Sequence, residues 1–558
     1  MKSGLEIAQE AKLKHISEIA ELAGLLPEEY DTYGPTKAKI TPGPVIERLK
    51  GRPDAKIVVC TAITPTKAGE GKTTTAVALT QGLGKINKSV SLVLREPSMG
   101  PVFGIKGGGN GGGYVQVLPM EEIDLHFNGD FHAVTTAHNL LSSAIDQSLM
   151  WDNWANIDPS SITWPGCIDM DARELRFTVQ GLGGKAHGVP REKGWVITAA
   201  SEVMAILALT TDLRDLRERL GRIVVASTKD GKPVTADDLK AAGAMTVVLR
   251  DALRPNLVQT IEGQPVLIHA GPFGNIAHAN NSIIADQIGM KMGDIMVTEG
   301  GFASDLGFEK FAQIVCRNGG FKPHAAVLIS TIRALKLHGG VPFDKLGEEN
   351  VEALQTGMQN LAAHADIMKA FKLRFILALN ERTGQDTDKE IGAFMEGAAD
   401  LGAFDVVKHE GFAKGGDGAT ELAEAVVRAV DYETTFEPVN KPTDDIKTQI
   451  ENIATKIYGA DGVDYLPQAE KDIARMGDLG FGTAPVCMAK THLSLSHDPL
   501  LLNRPKGWRL PIRGVVPSAG AGFVVPLCGD MMRMPAFGRT PAYMNIDIDE
   551  NGQTVGLY

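Results

Sequence analysis

Short apolar runs recur along the chain and alternate with stretches of helical periodicity: KIVVCTA (56–62), SVSLVL (89–94), RIVVAS (222–227), MTVVLR (245–250), PVLIHA (265–270), DIMVTE (294–299), AAVLIS (325–330) and RFILAL (374–379). Runs of this length, rich in β-branched residues and bounded by polar turns, read as strands buried on both faces. Alternation with helices predicts an α/β fold with a doubly wound, mostly parallel sheet. Residues 5–24 repeat apolar positions at helical spacing and predict one surface helix, ended by Pro27 and the polar stretch after it. A composition shift at 432–445, YETTFEPVNKPTDD, reads as a linker. A helical segment and strands punctuated by glycine and proline follow it.

The run at 56–62 leads into TPTKAGEGKTTT, a strand entering a glycine-rich turn that leaves through a lysine and three threonines. A triphosphate needs inward-pointing backbone N–H groups at a helix N-terminus and one flexible cation, which Gly69, Gly71 and Lys72 supply. Thr73 would present its hydroxyl to Mg²⁺. The usual pattern has glycine where this chain has Thr66. The preceding strand and the alanine-rich helical stretch after it nevertheless favour a phosphate loop over an ordinary βα turn with an exposed lysine.

Length changes the picture by allowing three or four domains. Glycine, 62 of 558 residues or about 11%, exceeds the usual ~7% and points to loops that hold backbone close to ligands. The net charge of −12 argues against a general nucleic-acid or membrane-surface role. Cys60, Cys167, Cys316, Cys487 and Cys528 are odd in number and never form a CxxC pair, which favours reduced thiols in a cytoplasm. The first 25 residues hold no apolar run of signal or membrane length.

Polar clusters fall at the ends of the apolar runs. Arg95 and Glu96 emerge at a strand's carboxyl end, where open α/β sheets bind ligands; the plainer reading of Arg95 is a salt bridge. GIKGGGNGGG (104–113) reads as a loop packed on a ligand. His126, Asp130, His132 and His138 follow; the histidine spacing of six does not suit a helical zinc site, so hydrogen bonding to phosphate or carboxylate is the reading. Asn280, Asn281, Glu299 and Asp305 read singly as helix caps and together as one edge of a polar ligand site.

These motifs resemble the formate–tetrahydrofolate ligase family over essentially the whole chain, through TPTKAGEGKTTT, LREPSMGPVFGIKGG, HFNGDFHAVTTAHNL, GPFGNIAHANNS, TEGGFASDLGFEKF, STIRALKLHGG and PVCMAKT. The resemblance implies a large phosphate-loop domain with the mostly parallel doubly wound sheet (1–365) and two smaller α/β domains. One of these (366–455) contributes to the folate pocket, and the other (456–558) to the adenine and folate sites. It implies that formate attacks the γ-phosphoryl group of MgATP to give formyl phosphate, and that N10 of tetrahydrofolate then attacks the mixed anhydride. Such transfer needs placement and charge neutralisation more than a strong base. Pro65, Thr66, Lys67, Ala68, Gly69, Glu70, Gly71, Lys72 and Thr73 match the family's ATP-binding loop. Arg95 matches the arginine that holds formyl phosphate, and its planar fork suits that species. Glu96, Asp130 and His132 line the same site in the family pattern, with Asp130 a partner for an activating K⁺ or NH₄⁺ or, like His132, for the amine proton. Ser518, Ala519 and Gly520 match an adenine-proximal turn. A cytoplasmic homotetramer is also implied.

Departures cluster around the folate. Where the family stacks the pterin between two aromatic rings, this chain has Arg382 or Thr383 at one position and Phe412 at the other. Phe302, Pro535 and Phe537 complete the expected folate contacts. Lys67 and the Met534–Arg539 stretch also depart from the family pattern. Two alternatives therefore stand beside the tetrahydrofolate ligase: a formate-activating ligase for another pterin or amine, and an ATP-binding scaffold without turnover. Formate-dependent ATP use that tetrahydrofolate fails to stimulate marks the first, and ATP binding without hydrolysis the second.

Overall fold

The computed structural model describes residues 2–104, 109–274 and 276–557. Ten strands form the spine of the main sheet: β1 (Tyr30–Thr32), β2 (Ala38–Ile40), β3 (Lys56–Ala62), β4 (Val90–Leu94), β5 (Asn256–Thr260), β6 (Pro265–Ile268), β7 (Ile295–Glu299), β8 (Ala325–Ser330), β9 (Phe375–Asn380) and β10 (Asp405–His409). Their order is β1-β2-β5-β6-β4-β7-β3-β8-β9-β10. From β6 to β10 every neighbouring pair is parallel, and β1, β2 and β5 close one edge antiparallel. Gly111–Gly112 and Val115–Leu118 form a short hairpin that joins β5.

Alternation along β3 shows why the strands read as continuous apolar runs. Ile57 and Val59 enter one core, whereas Val58, Cys60 and Ala62 enter the other. Both faces are covered, so neither set faces water. On the second face the helix Lys72–Lys85 packs against the helix Thr420–Val430 through Val77, Leu79, Leu83, Leu422 and Val426. The boundary read at 365 falls inside the helix Val351–Ala370, and the strands that follow it, β9 and β10, extend the main sheet. Among the described residues, the last hundred build three small sheets of their own, Val463–Tyr465 with Leu510–Ile512, the hairpin Gly514–Ser518 with Phe523–Leu527, and Asp547–Ile548 with Thr554–Val555.

Three sequence expectations are corrected. Residues 5–24 form two helices, Gly4–Glu10 and Ile16–Leu22, because Ser3 and His15 each open a capping box with Glu6 and Glu18. Their apolar faces are buried rather than superficial, with Leu5, Ile7, Ile16 and Ile19 inside. MTVVLR lies in the helix Ala242–Leu249; Ala242, Met245, Thr246 and Leu249 are its buried residues, an i, i+3, i+4, i+7 pattern that the β-branched run conceals. RIVVAS does form a strand, Val224–Ser227, but it pairs only with Pro233–Thr235, off the main sheet.

Candidate active site

Parallel pairing places the carboxyl ends of β3, β4, β6, β7, β8, β9 and β10 along one edge, so the loops after them meet there. After β3 the chain turns through Thr66–Gly71 into the helix Lys72–Lys85. The loop is preorganised by its own bonds. The Thr66 amide donates to Glu70 Oε1 (2.6 Å), the Ala68 amide to Thr66 Oγ1 (3.1 Å) and the Gly69 amide to the Thr66 carbonyl (3.2 Å). Gly71 sits at φ +72°, and a Cβ there would lie 2.0 Å from Asn380 Nδ2 at the tip of β9, so only glycine fits. Lys67 is exposed and Pro65 partly covered. This departure from the family therefore stands on the solvent side of the loop.

Lys72 and Thr73 open the helix. Burial lowers the Lys72 pKa, Glu70 and Glu299 oppose that shift, and the positive charge of Arg95 adds to it. Lys72 and Arg95 thus share one electrostatic neighbourhood. Glu299, at the end of β7, joins them: its carboxylate accepts from Thr73 Oγ1 (2.9 Å) and lies 4.0 Å from Arg95 Nη2. The guanidinium rests on Gly301, where a Cβ would come within 2.9 Å of Cζ and both Nη atoms. Arg95 Nη1 donates to the Pro272 carbonyl (3.4 Å), while the buried Nε has no hydrogen-bond partner among the described residues. Phe302, at φ +62°, follows and stacks on His492 (4.5 Å between centroids, 24° between planes).

Beyond Arg95 lies a carboxylate group. Asp130 is buried, ion-paired to Lys39 (2.6 Å) and bonded by Asn256 Nδ2 (2.8 Å). Burial and then the neighbouring Asp130 carboxyl raise the Glu96 pKa well above the usual carboxylate range, and Glu96 Oε2 has no hydrogen-bond partner among the described residues. His132 is exposed, two residues on from Asp130 and so about 200° round the helix. His138 is not a phosphate or carboxylate partner. Its ring is buried against Trp164, facing the Ser201 hydroxyl (2.8 Å) and the Pro165 carbonyl (3.1 Å).

The expected folate residues each engage protein partners of their own. Arg382 donates from Nη2 to the Ala68 carbonyl (3.0 Å), so its guanidinium is fixed on the phosphate loop. Phe412 is 44% exposed and packs against Gly112 and Gly113. Phe537 lies edge-on to Tyr543 (5.3 Å), with its carbonyl accepting from Arg173; Pro535 is half-buried beside Met534, whose carbonyl accepts from Arg176. The turn Ser518–Ala519–Gly520 packs on the 202–209 helix. The Gly520 amide donates to Glu202 Oε1 (2.8 Å), and Ser518 lines a cavity of about 850 Å³ with Trp164, Glu202 and Arg475. None of the residues 65–73 lines that cavity.

Sequence reasoning missed Glu299 as a site residue in its own right and Lys39 altogether. Asn280, Asn281 and Asp305, like Glu299, cap no helix. Asn280 Nδ2 donates to the Glu299 carbonyl, Asn281 bonds Asp286 and Thr298, and Asp305 pairs with Lys490, while Ser282 caps the helix after β6. Among the described residues no cluster of three His, Cys, Asp or Glu side chains could hold a metal ion, and no helix is long and apolar enough to cross a membrane.

Comparison with known proteins agrees with this geometry. The sequence model of the formate–tetrahydrofolate ligase family matches residues 2–558. The chain is also 51% identical, over 564 aligned positions, to a formate–tetrahydrofolate ligase of Desulforamulus reducens, covering all of this chain and 99% of that one.

Proposed function

The chain belongs to the formate–tetrahydrofolate ligase family, and on that premise we propose that it joins formate to N10 of tetrahydrofolate through formyl phosphate, at the sheet edge where Glu299 stands between the phosphate loop and Arg95. The observation that carries the proposal is the Glu299 carboxylate, which touches Thr73 of the phosphate loop and faces Arg95 of the β4 tip. A phosphoryl group on Lys72 and a carboxylate on Arg95 would then stand within one site. The match to a ligase of that name over the full chain gives no support to a different acceptor or to a silent scaffold.

In the first step a formate oxygen attacks the γ-phosphorus and the bond to the ADP oxygen breaks. In the second, the N10 electron pair attacks the formyl carbon and phosphate leaves with one formate oxygen. Lys72 and Arg95 neutralise the charge that develops on the transferred group. The N10 proton has two acceptors in the sequence reading. Asp130 is already engaged by Lys39 and Asn256, whereas exposed His132 can pass a proton to water.

ATP is the nucleotide of this ligase family, and Mg²⁺ is part of the proposal. The Thr73 hydroxyl and the Glu299 carboxylate, 2.9 Å apart, are hard oxygen donors of the kind Mg²⁺ takes, with phosphate oxygens and water completing its shell. When bound, Mg²⁺ supplies further neutralisation of the triphosphate. An activating monovalent cation, if bound, would be held by Glu96, whose Oε2 lacks a partner among the described residues, beside Asp130. The implied homotetramer has an uncovered apolar surface available at Phe177, Val179 and Leu182. A cytoplasmic setting accords with five free, buried thiols.

Turnover with [¹⁸O]formate tests the route. With both formate oxygens labelled, one ¹⁸O per turnover is expected in the released phosphate, and unlabelled phosphate would overturn it.

A further inference from the structure

We propose that Lys490 is a positioning residue for formate activation, acting from the C-terminal segment through the loop on which Arg95 rests; this depends on the reading of Arg95 given above. Lys490 is fully buried. Its ammonium forms an ion pair with the Asp305 carboxylate at 2.8 Å and donates hydrogen bonds to the carbonyls of Thr491 (2.9 Å) and Ser494 (2.5 Å). Asp305 lies in the widened helical turn Ser304–Phe308, a form of turn often found at functional sites.

That turn is the floor under Arg95. A Cβ on Gly307 would lie 2.0 Å from the Gly301 carbonyl oxygen and one on Gly300 would lie 2.7 Å from the Phe308 amide, so the two backbones touch. Gly301 in turn supports the guanidinium. The same C-terminal segment reaches this spot a second way, because His492 stacks on Phe302, the residue after Gly301. It is also tied to the start of the phosphate loop, since Asn360 Nδ2 donates both to the Asn503 carbonyl (2.7 Å) and to Thr64 Oγ1 (3.0 Å). Ser304 and Thr64 are linked through the ring of His364 (2.7 and 2.9 Å).

A desolvated ion pair is a poor source of net stability, because apolar replacements of both partners are often neutral or stabilising. Its use here is geometric: it fixes where Asp305, and with it Gly307 and Gly301, must sit.

The test compares formate KM, ATP KM and melting temperature in the full-length enzyme. Four variants are used: the paired substitution Asp305→Asn with Lys490→Met, which leaves no buried charge unpaired, the single changes His492→Ala and His492→Phe, and Arg95→Lys as reference. The expected result is a formate KM raised about tenfold or more in the paired variant and in His492→Ala, with ATP KM within twofold and His492→Phe restoring formate KM toward the parent value. Should the paired variant fail to fold, His492→Ala and its Phe rescue decide alone. Formate KM unchanged in the folded variants while Arg95→Lys raises it, or formate and ATP KM rising together, overturns the role of Lys490 and leaves Arg95 standing. An Arg95→Lys enzyme with unchanged formate KM overturns both.

Discussion

The Thr73 hydroxyl donates to the Glu299 carboxylate at 2.9 Å although 226 positions separate them in sequence, and the same carboxylate lies 4.0 Å from Arg95. Glu299 is the counter-charge for two cations that burial disfavours, since the pKa values of both Lys72 and Arg95 are lowered by burial and raised by Glu299. Glu299→Gln keeps the size and removes the charge. A charge-assisted hydrogen bond contributes roughly 1.5–3 kcal/mol, so kcat/KM for ATP should fall by about 10- to 100-fold. Steady-state phosphate release across a Mg²⁺ series checks this, and half-activation should move to higher Mg²⁺.

Gly301 supports Arg95 by having no side chain. Gly301→Ala would place a methyl carbon 2.9 Å from the guanidinium carbon and push the fork off its seat. Misplacement on the order of 1 Å can cost about 100-fold, so formate-dependent turnover should drop toward that level with ATP binding retained. Gly51→Ala, where a Cβ meets open space, is the control and should behave as the parent. Initial rates at saturating ATP with varied formate separate the two.

The phosphate loop was legible because strand, turn and helix chemistry sit within twenty consecutive residues, and β3, β4 and β6 to β9 because strands buried on both faces leave an unbroken apolar run. The helix Ala242–Leu249 was not, because Val247 and Val248 copy a strand's composition while the burial follows helical spacing. Glu299 and Lys39 escaped for another reason. Each gains its meaning from a partner on a distant strand or helix, Thr73 and Asp130, and the pairing exists only after the sheet order is set. Likewise, Arg382 in an aromatic's place reads from the sequence as a folate contact, whereas the fold engages its guanidinium with the Ala68 carbonyl.

Outside the site, Glu390 holds three elements together. Its carboxylate pairs with buried Lys336 (2.8 Å), accepts from the Asn350 amide (2.9 Å) and closes the capping box of the helix Asp388–Ala399. Glu390→Ala strands the Lys336 ammonium, with a side chain only 3% exposed, without its carboxylate. Breaking a buried pair costs about 3–5 kcal/mol, so a clear fall in melting temperature is expected. Glu390→Gln, which can still accept the amide bonds, should lose less. Calorimetry of the two variants side by side reads the difference.

Glu309 gives the stability a pH dependence of defined sign. It is fully buried and neither carboxylate oxygen has a hydrogen-bond partner among the described residues. Burial, with Asp305 adding and Lys310 opposing, raises its pKa from 4.5 to about 8. The folded state therefore keeps a proton that the unfolded chain releases. Its contribution is complete below pH 4.5 and is lost as pH rises through about 8. By pH 7 the deficit is roughly 3 kcal/mol, taking about 1.4 kcal/mol per pH unit. Glu309→Gln mimics the protonated form and removes this titration. The parent's melting temperature should decline between pH 5 and pH 8 more steeply than that of the variant, which should be the more stable of the two at pH 8. Parallel melting curves for the two proteins over that range would contradict the assignment.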